Sequence, residues 1–208
     1  MPSLCERKID LSVIVPVYNL EHFIAPLLES LKEQQTTYNV EYIFVLNNCT
    51  DNSEQVIRDS SLGCTIINCT EQGCGPARNA GLDIAQGEYI WMMDGDDWLI
   101  SNTAIQDALD LCRGLDIIHV PFRSDNFRGD YFSMVWQYII RRDFIGDIRF
   151  LAIQPGEDDA FMLQILAKKN LNEYTYHWLP SLATPVYFYN YLRTGSNMHR
   201  VIVLREKI

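Results

Sequence analysis

No stretch of this 208-residue chain stays apolar long enough to cross a bilayer, which asks for about 20 consecutive apolar residues, so no membrane-spanning helix is expected. Basic side chains are scarce. Seventeen Lys and Arg stand against 27 Asp and Glu, a net charge of −10 and an isoelectric point near 4.8. Nucleic acid is therefore not an expected partner, because binding a phosphate backbone rests on many Lys and Arg contacts. An anionic small substrate stays open, since a metal ion and a few local arginines set the field of a site whatever the net charge. Low-complexity runs, internal repeats and Pro/Gly/Ser linkers are also lacking, and 48% of residues are hydrophobic, so one domain over 1–208 with one substantial core is expected. The six cysteines form no C-x-x-C pair, and no histidine lies near Cys64, Cys69 and Cys74, which speaks against structural zinc and for reduced thiols. The first ten residues carry Glu6, Arg7, Lys8 and Asp10 rather than a signal-peptide core, and the expected location is cytoplasmic.

What the chain does have is an unusual junction at Gly87-Glu88-Tyr89-Ile90-Trp91-Met92-Met93-Asp94-Gly95-Asp96-Asp97-Trp98. A short apolar run of buried-strand length ends in three carboxylates around one glycine. Like charges so close repel, so they either spread into water and a helix N-terminus near Leu99, capped by Asp96, Asp97 or Ser101, or hold a divalent cation. Asp94 and Asp96 are two apart and would project from one side of an extended segment. Oxygen ligands of this kind suit Mg²⁺ or Mn²⁺, which in turn hold phosphates.

Around that junction the chain alternates. Leu11 to Asn19 reads as a buried first strand, with Pro16 marking where pairing stops. Leu20 to Gln35 has helical spacing, with Pro26 in the first turn. Tyr42 to Leu46 is a second strand, followed by the polar turn Asn47 to Ser53 and a short helix from about Glu54. Thr65 to Ile67 is a third strand, and Gly73 to Gly81 leads into a third helix with Pro76 at its first position. The fourth strand is Tyr89 to Met93. A helix at Thr103 to Cys112 and a strand at Asp116 to Pro121 follow; Ser133 to Arg142 looks helical, Gly156 opens a helix to about Lys169, and Pro185 to Leu192 reads as a strand. Strands and helices in this order predict an α/β fold with a mainly parallel central sheet, helices on both faces, and ligands at the carboxyl ends of the strands.

Five motifs in order resemble those of family 2 glycosyltransferases of the GT-A fold: Ser12-Val13-Ile14-Val15-Pro16-Val17-Tyr18-Asn19, Ala77-Arg78-Asn79-Ala80-Gly81-Leu82, Gly87-Glu88-Tyr89-Ile90, Asp94-Gly95-Asp96-Asp97 and Gly156-Glu157-Asp158. The likeness runs from about Leu11 to about His199. It implies inverting transfer of a sugar from a nucleotide-diphosphate donor, UDP-sugar first, to a hydroxyl of a glycan or lipid-linked acceptor, aided by Mn²⁺ or Mg²⁺. Residues from about 11 to 121 would form the nucleotide-sugar half and those from about 122 to 200 the acceptor half. A lipid-linked acceptor would bring the protein to the inner face of a membrane it does not cross.

By the same resemblance, Pro16, Tyr18 and Asn19 line the base and ribose. Arg78 and Asn79 approach the base or diphosphate, and Asp94 and Asp96 form the metal- and ribose-binding D-x-D element, with Asp96 the direct ligand. Asp158 is the general base, and Arg193 and Ser196 reach the donor phosphates; His199, just beyond them, is a further candidate metal ligand. One position departs from the family pattern. Asn47 stands where an aspartate usually accepts a hydrogen bond from the base, which brings base preference into question.

Plainer readings stand beside these. Glu157, Asp158 and Asp159 also suit the acidic first turn of a helix, Arg141 and Arg142 a solvated helix end, and Trp98 either the core or a sugar pocket. Two other functions remain: a GT-A-fold binding module with an impaired donor site, motivated by Asn47, and a dinucleotide-dependent oxidoreductase, motivated by Gly73 and Gly75. The second lacks a third glycine, because Arg78 holds its place, and leaves the carboxylates unexplained.

Overall fold

The first apolar run is strand β1 (Leu11–Val17), and its side chains divide by parity. Leu11, Val13, Val15 and Val17 face one core; Ile14 faces the other. Both sides of the sheet are therefore covered, which is why the strand is apolar throughout rather than alternating. In the computed structural model, which describes residues 8–124, 133–173, 175 and 179–190, the remaining elements assemble around it.

Helix α1 (Ala25–Lys32) is preceded by a turn at 21–23, so the helix expected from Leu20 is shorter, and Pro26 sits in its first turn where a missing N–H costs little. Then come β2 (Val40–Asn47), α2 (Ser53–Asp59), β3 (Thr65–Cys69), α3 (Cys74–Ile84) and β4 (Tyr89–Met92). Strands β2 and β4 flank β1 and β3 flanks β2, all parallel. Pairing does not stop at Pro16: Pro16 and Val17 stay in register with Val45 and Leu46 of β2. Ile14 O accepts from Met93 N on the β4 side, so Pro16, two residues on, turns its missing N–H toward the side that β4 has already left.

Downstream lie β5 (Trp98–Leu99), α4 (Ala104–Cys112), β6 (Ile117–His119), β7 (Phe122–Arg123), a 3₁₀ turn (Val135–Gln137), β8 (Tyr138–Arg141), α5 (Arg142–Ile145), α6 (Glu157–Ala167) and β9 (Tyr187–Phe188). The six-stranded sheet has the order β3-β2-β1-β4-β8-β6, with β8 antiparallel to both neighbours; β5-β9-β7 make a small second sheet. Three expectations change here. Ser133 to Arg142 contains a strand instead of a helix, no helix starts at Leu99, and Pro76 is the third residue of α3 rather than its first. The chain is thus α/β with a mostly parallel sheet between helices.

Leu27, Leu28 and Leu31 of α1 and Ile105 and Leu109 of α4 cover one face of that sheet. Ala77 and Leu82 of α3 and Phe161 and Ile165 of α6 cover the other. Each of the leucine, isoleucine and phenylalanine side chains contributes about 1.5–3 kcal/mol by leaving water. Gly81 lets α3 lie directly on the sheet, since a Cβ there would run into Ile14 Cγ2 and come within 3.3 Å of Val45 Cγ2. Among the described residues no helix is long and apolar enough to cross a membrane.

Candidate active site

Because β1, β2, β3 and β4 run parallel, the loops that follow them gather at one edge of the sheet. The first two are stitched together. Asn19, in the left-handed region at φ 51°, accepts from Thr50 N at 2.8 Å and donates to Thr50 Oγ1 at 3.2 Å. Asp51 accepts from Glu21 N at 2.9 Å, and Ser53 Oγ accepts from Leu20 N at 2.7 Å. Tyr18 is left 55% exposed at the rim beside a half-buried Pro16, as a ring open to a ligand would be.

Asn47 is not open. It is only 5% exposed, its amide donates to Cys69 O at 3.2 Å and Glu71 O at 2.7 Å, and its oxygen accepts from Gly73 N at 3.0 Å. The end of β2 is thereby tied to the loop that enters α3. A carboxylate has no protons to give those two carbonyls, so this loop geometry accounts for an amide at the departing position.

The acidic element is a turn, not an extended segment. Asp97 N donates to Asp94 O at 3.2 Å across Gly95 and Asp96, and Asp96 is half-buried within it. Asp97, 1% exposed, accepts from the Tyr187 hydroxyl at 2.6 Å and from Asn190 N at 2.8 Å. Burial first, then the charges of Asp96 and Asp94, hold its carboxyl well above the ordinary range. The Tyr187 ring stacks on Trp136 at 4.8 Å, and Trp98 stacks on Phe188 at 4.2 Å.

Across from that turn, α6 opens behind Gly156, which has φ 112°, and presents Glu157 and Asp158. Arg78, from α3, lies between the two acidic elements and is 3% exposed. Its Nη2 donates to Asp94 at 2.9 Å and its Nη1 to Asp158 Oδ1 at 2.6 Å, with Glu157 at 3.6 Å. The other Asp158 oxygen, Oδ2, accepts a long bond from Val135 N at 3.4 Å. Burial pushes the Asp158 carboxyl up to about 7 against the pull of Arg78, with Asp94 and Glu157 adding to the rise. Asn79 turns its amide to the Phe150 backbone, giving and receiving one bond of 2.9 Å each.

Asp94, Asp158, Arg78 and the turn holding Asp96 thus come together from distant parts of the chain. Arg193, Ser196 and His199 lie outside the described residues. Of the expected solvated helix end, Arg142 is exposed at the first position of α5, with its Nε donating to Gly87 O at 2.8 Å, whereas Arg141 ends strand β8 and pairs with Asp116. Sequence reasoning missed Tyr187, Phe150 and Val135; the aromatic run around Tyr187 was its only signal. Among the described residues no group of three or more His, Cys, Asp and Glu side chains is gathered closely enough to hold a metal alone. Yet several carboxylates face one guanidinium, a donor set of hard oxygens with charge to spare. That fits a cation held partly by Asp94 and Asp96 and partly by a ligand's own phosphate oxygens.

The family model described as Glycosyl transferase family 2 matches residues 12–154. The uncharacterized glycosyltransferase EpsJ of Bacillus subtilis is 36% identical over 191 residues, covering 72% of this chain and 55% of EpsJ. The Staphylococcus aureus poly(ribitol-phosphate) beta-N-acetylglucosaminyltransferase TarS is 30% identical over 125 residues, 57% of this chain and 22% of TarS. A TarS structure solved with UDP-GlcNAc superposes with a TM-score of 0.77 at 24% identity, over 92% of this chain and 61% of that one. The mannosyltransferase PcManGT of Pyrobaculum calidifontis, solved with GDP-Man and Mn²⁺, superposes with a TM-score of 0.70 at 18% identity, over 96% and 61%.

Proposed function

The chain belongs to glycosyl transferase family 2, and from that premise we propose that it moves a sugar from a nucleotide-diphosphate donor, a UDP-sugar first, to a hydroxyl of a glycan or lipid-linked acceptor with inversion at the sugar carbon. The observation that carries this reading is the placement of Asp94 and Asp158 on either side of Arg78 at the carboxyl edge of the parallel strands.

The donor lies along the gathered loops, with the base and ribose toward Tyr18 and Asn19 and the diphosphate toward the acidic turn. Asp94 and Asp96 would hold Mn²⁺ or Mg²⁺, which supplies electrostatic stabilisation to the diphosphate leaving group. Asp158 accepts the proton of the acceptor hydroxyl as the new oxygen–carbon bond forms and the bond from sugar carbon to diphosphate breaks. A carboxyl held near 7 sits at a useful point for such a base, basic enough to take the proton and ionised in much of the population at neutral pH. In this reading the protein works in the cytoplasm, at the inner face of the membrane when its acceptor is carried on lipid.

Calorimetric titration with UDP, GDP and the other nucleoside diphosphates, with and without Mn²⁺, tests the donor site on the wild type and Asp96→Ala. Metal-dependent binding of one nucleotide, lost in the variant, is expected. If no nucleotide binds under either condition, the second reading takes its place: a carbohydrate-binding module whose donor site is closed by Asn47, whose amide is already spent on backbone.

A further inference from the structure

We infer that Arg78 is a positioning residue for the general base, held by the neighbouring Asn79 and Phe150, and not a ligand of the donor diphosphate. The inference rests on the transferase reading, and specifically on Asp158 as base.

Both terminal nitrogens of Arg78 are already taken by carboxylates, Nη2 by Asp94 and Nη1 by Asp158. The Phe150 ring covers the guanidinium at 5.4 Å from its centroid, and Nε is buried without a partner among the described residues. Arg78 is 3% exposed, and a phosphate reaching one of its remaining N–H groups would sit beside Asp94, Asp158 and Glu157. An anion entering a cation already shared by three carboxylates is repelled more than it is attracted.

The surroundings of Arg78 are built to hold it still. Asn79 fixes the Phe150 backbone through its two 2.9 Å bonds, and Phe150 stacks on Phe161 of α6 at 3.9 Å. Gly75 lets the same loop approach α3, since a Cβ there would lie 2.5 Å from Leu151 O. Arg78, Asn79 and Gly75 therefore act together. They dock residues 150 and 151 on α3, and the docked ring presses the guanidinium into its plane between two acidic elements.

The consequence for Asp158 is at the level of atoms. Oδ1 is tied to Arg78, while Oδ2 has, among the described residues, only the long contact to Val135 N. Oδ2 is then the oxygen that takes the acceptor proton, and Arg78 aims it. A lysine would keep the charge but not the fork that spans two carboxylates.

The test is Arg78→Lys, read by calorimetry with UDP and by steady-state kinetics with the donor that the wild type turns over. The expected result is a fall in kcat of about 30- to 100-fold, the scale of a small misplacement of a catalytic group, with UDP affinity and donor KM within about threefold of wild type. UDP affinity weakened tenfold or more at unchanged kcat would overturn the inference and make Arg78 a phosphate ligand. Should Arg78→Lys fail to fold, Phe150→Leu loosens the guanidinium without changing any charge. It should lower kcat several-fold at unchanged UDP affinity, and the opposite split would again overturn the assignment. Failure of the transferase reading shows differently, because then the wild type itself binds no nucleoside diphosphate and turns over no nucleotide sugar.

Discussion

The Tyr187 hydroxyl donates to Asp97 Oδ2 at 2.6 Å while accepting from Asp94 N at 3.2 Å, so one phenol holds both ends of the acidic turn. The third carboxylate of the turn is thereby a strut rather than a ligand. Tyr187→Phe keeps the ring stacked on Trp136 but leaves a buried carboxylate short of a donor. The expected loss is about 1–3 kcal/mol of unfolding free energy, measured by urea denaturation. An unchanged midpoint would mean that Asn190 alone satisfies Asp97.

Asp158 should give both catalysis and stability a pH dependence. With its carboxyl at about 7 in the folded protein, kcat/KM rises with pH through that region and levels above it, and Asp158→Asn lowers kcat by about 10²–10⁴-fold. For stability the folded state binds the proton more tightly than the unfolded chain, whose carboxyl titrates near 4. This group's contribution is therefore most favourable below about pH 4 and declines until about pH 7, where it flattens. Thermal unfolding of Asp158→Asn across that range should lack this part of the slope.

Asn47→Asp restores the carboxylate usual in the family but aims it at Cys69 O and Glu71 O. Two hydrogen bonds become two repulsions while the bond from Gly73 N is kept. A loss on the order of 1–3 kcal/mol is expected at pH 7, shrinking as pH falls and the new carboxyl protonates. Comparing urea midpoints at pH 7 and pH 4 checks it; an equal loss at both would show that charge is not the cause.

Gly81→Ala places a methyl against Ile14 and Val45 in the tightest contact between α3 and the sheet. Overpacking of this kind costs about 1–3 kcal/mol despite the better helix propensity of alanine. A variant as stable as wild type, by chemical denaturation, would show that α3 can shift away from β1.

The four parallel strands were readable because each is a short run of β-branched or bulky apolar residues followed by a polar or glycine-bearing turn. Burial misled at Val135 to Arg141. With both faces of β8 covered, its apolar residues run together, and periodicity alone does not separate such a run from a buried helix. The carboxylates Asp94 and Asp158 stood out through their motifs. Their link through Arg78 did not, because a motif names residues and says nothing of which side chain another one turns to. Asn47 was recognised as a departure, but its reason lies in backbone carbonyls at and just beyond the end of the adjacent strand β3. Tyr187 carried no signal beyond the aromatic run around it: its role depends on a partner 90 positions earlier.

That separation has a consequence during synthesis. A ribosome adds about 5–20 residues per second, so the nascent chain exposes Asp94, Asp96 and Asp97 on the order of several seconds before Tyr187 emerges. Until then the three carboxylates can stay hydrated, and their mutual repulsion is screened by water. Desolvating Asp97 is left to the end, when β9 docks and the hydroxyl arrives with it. The parallel half of the protein can thus form early, while its most charge-laden turn takes its final shape last.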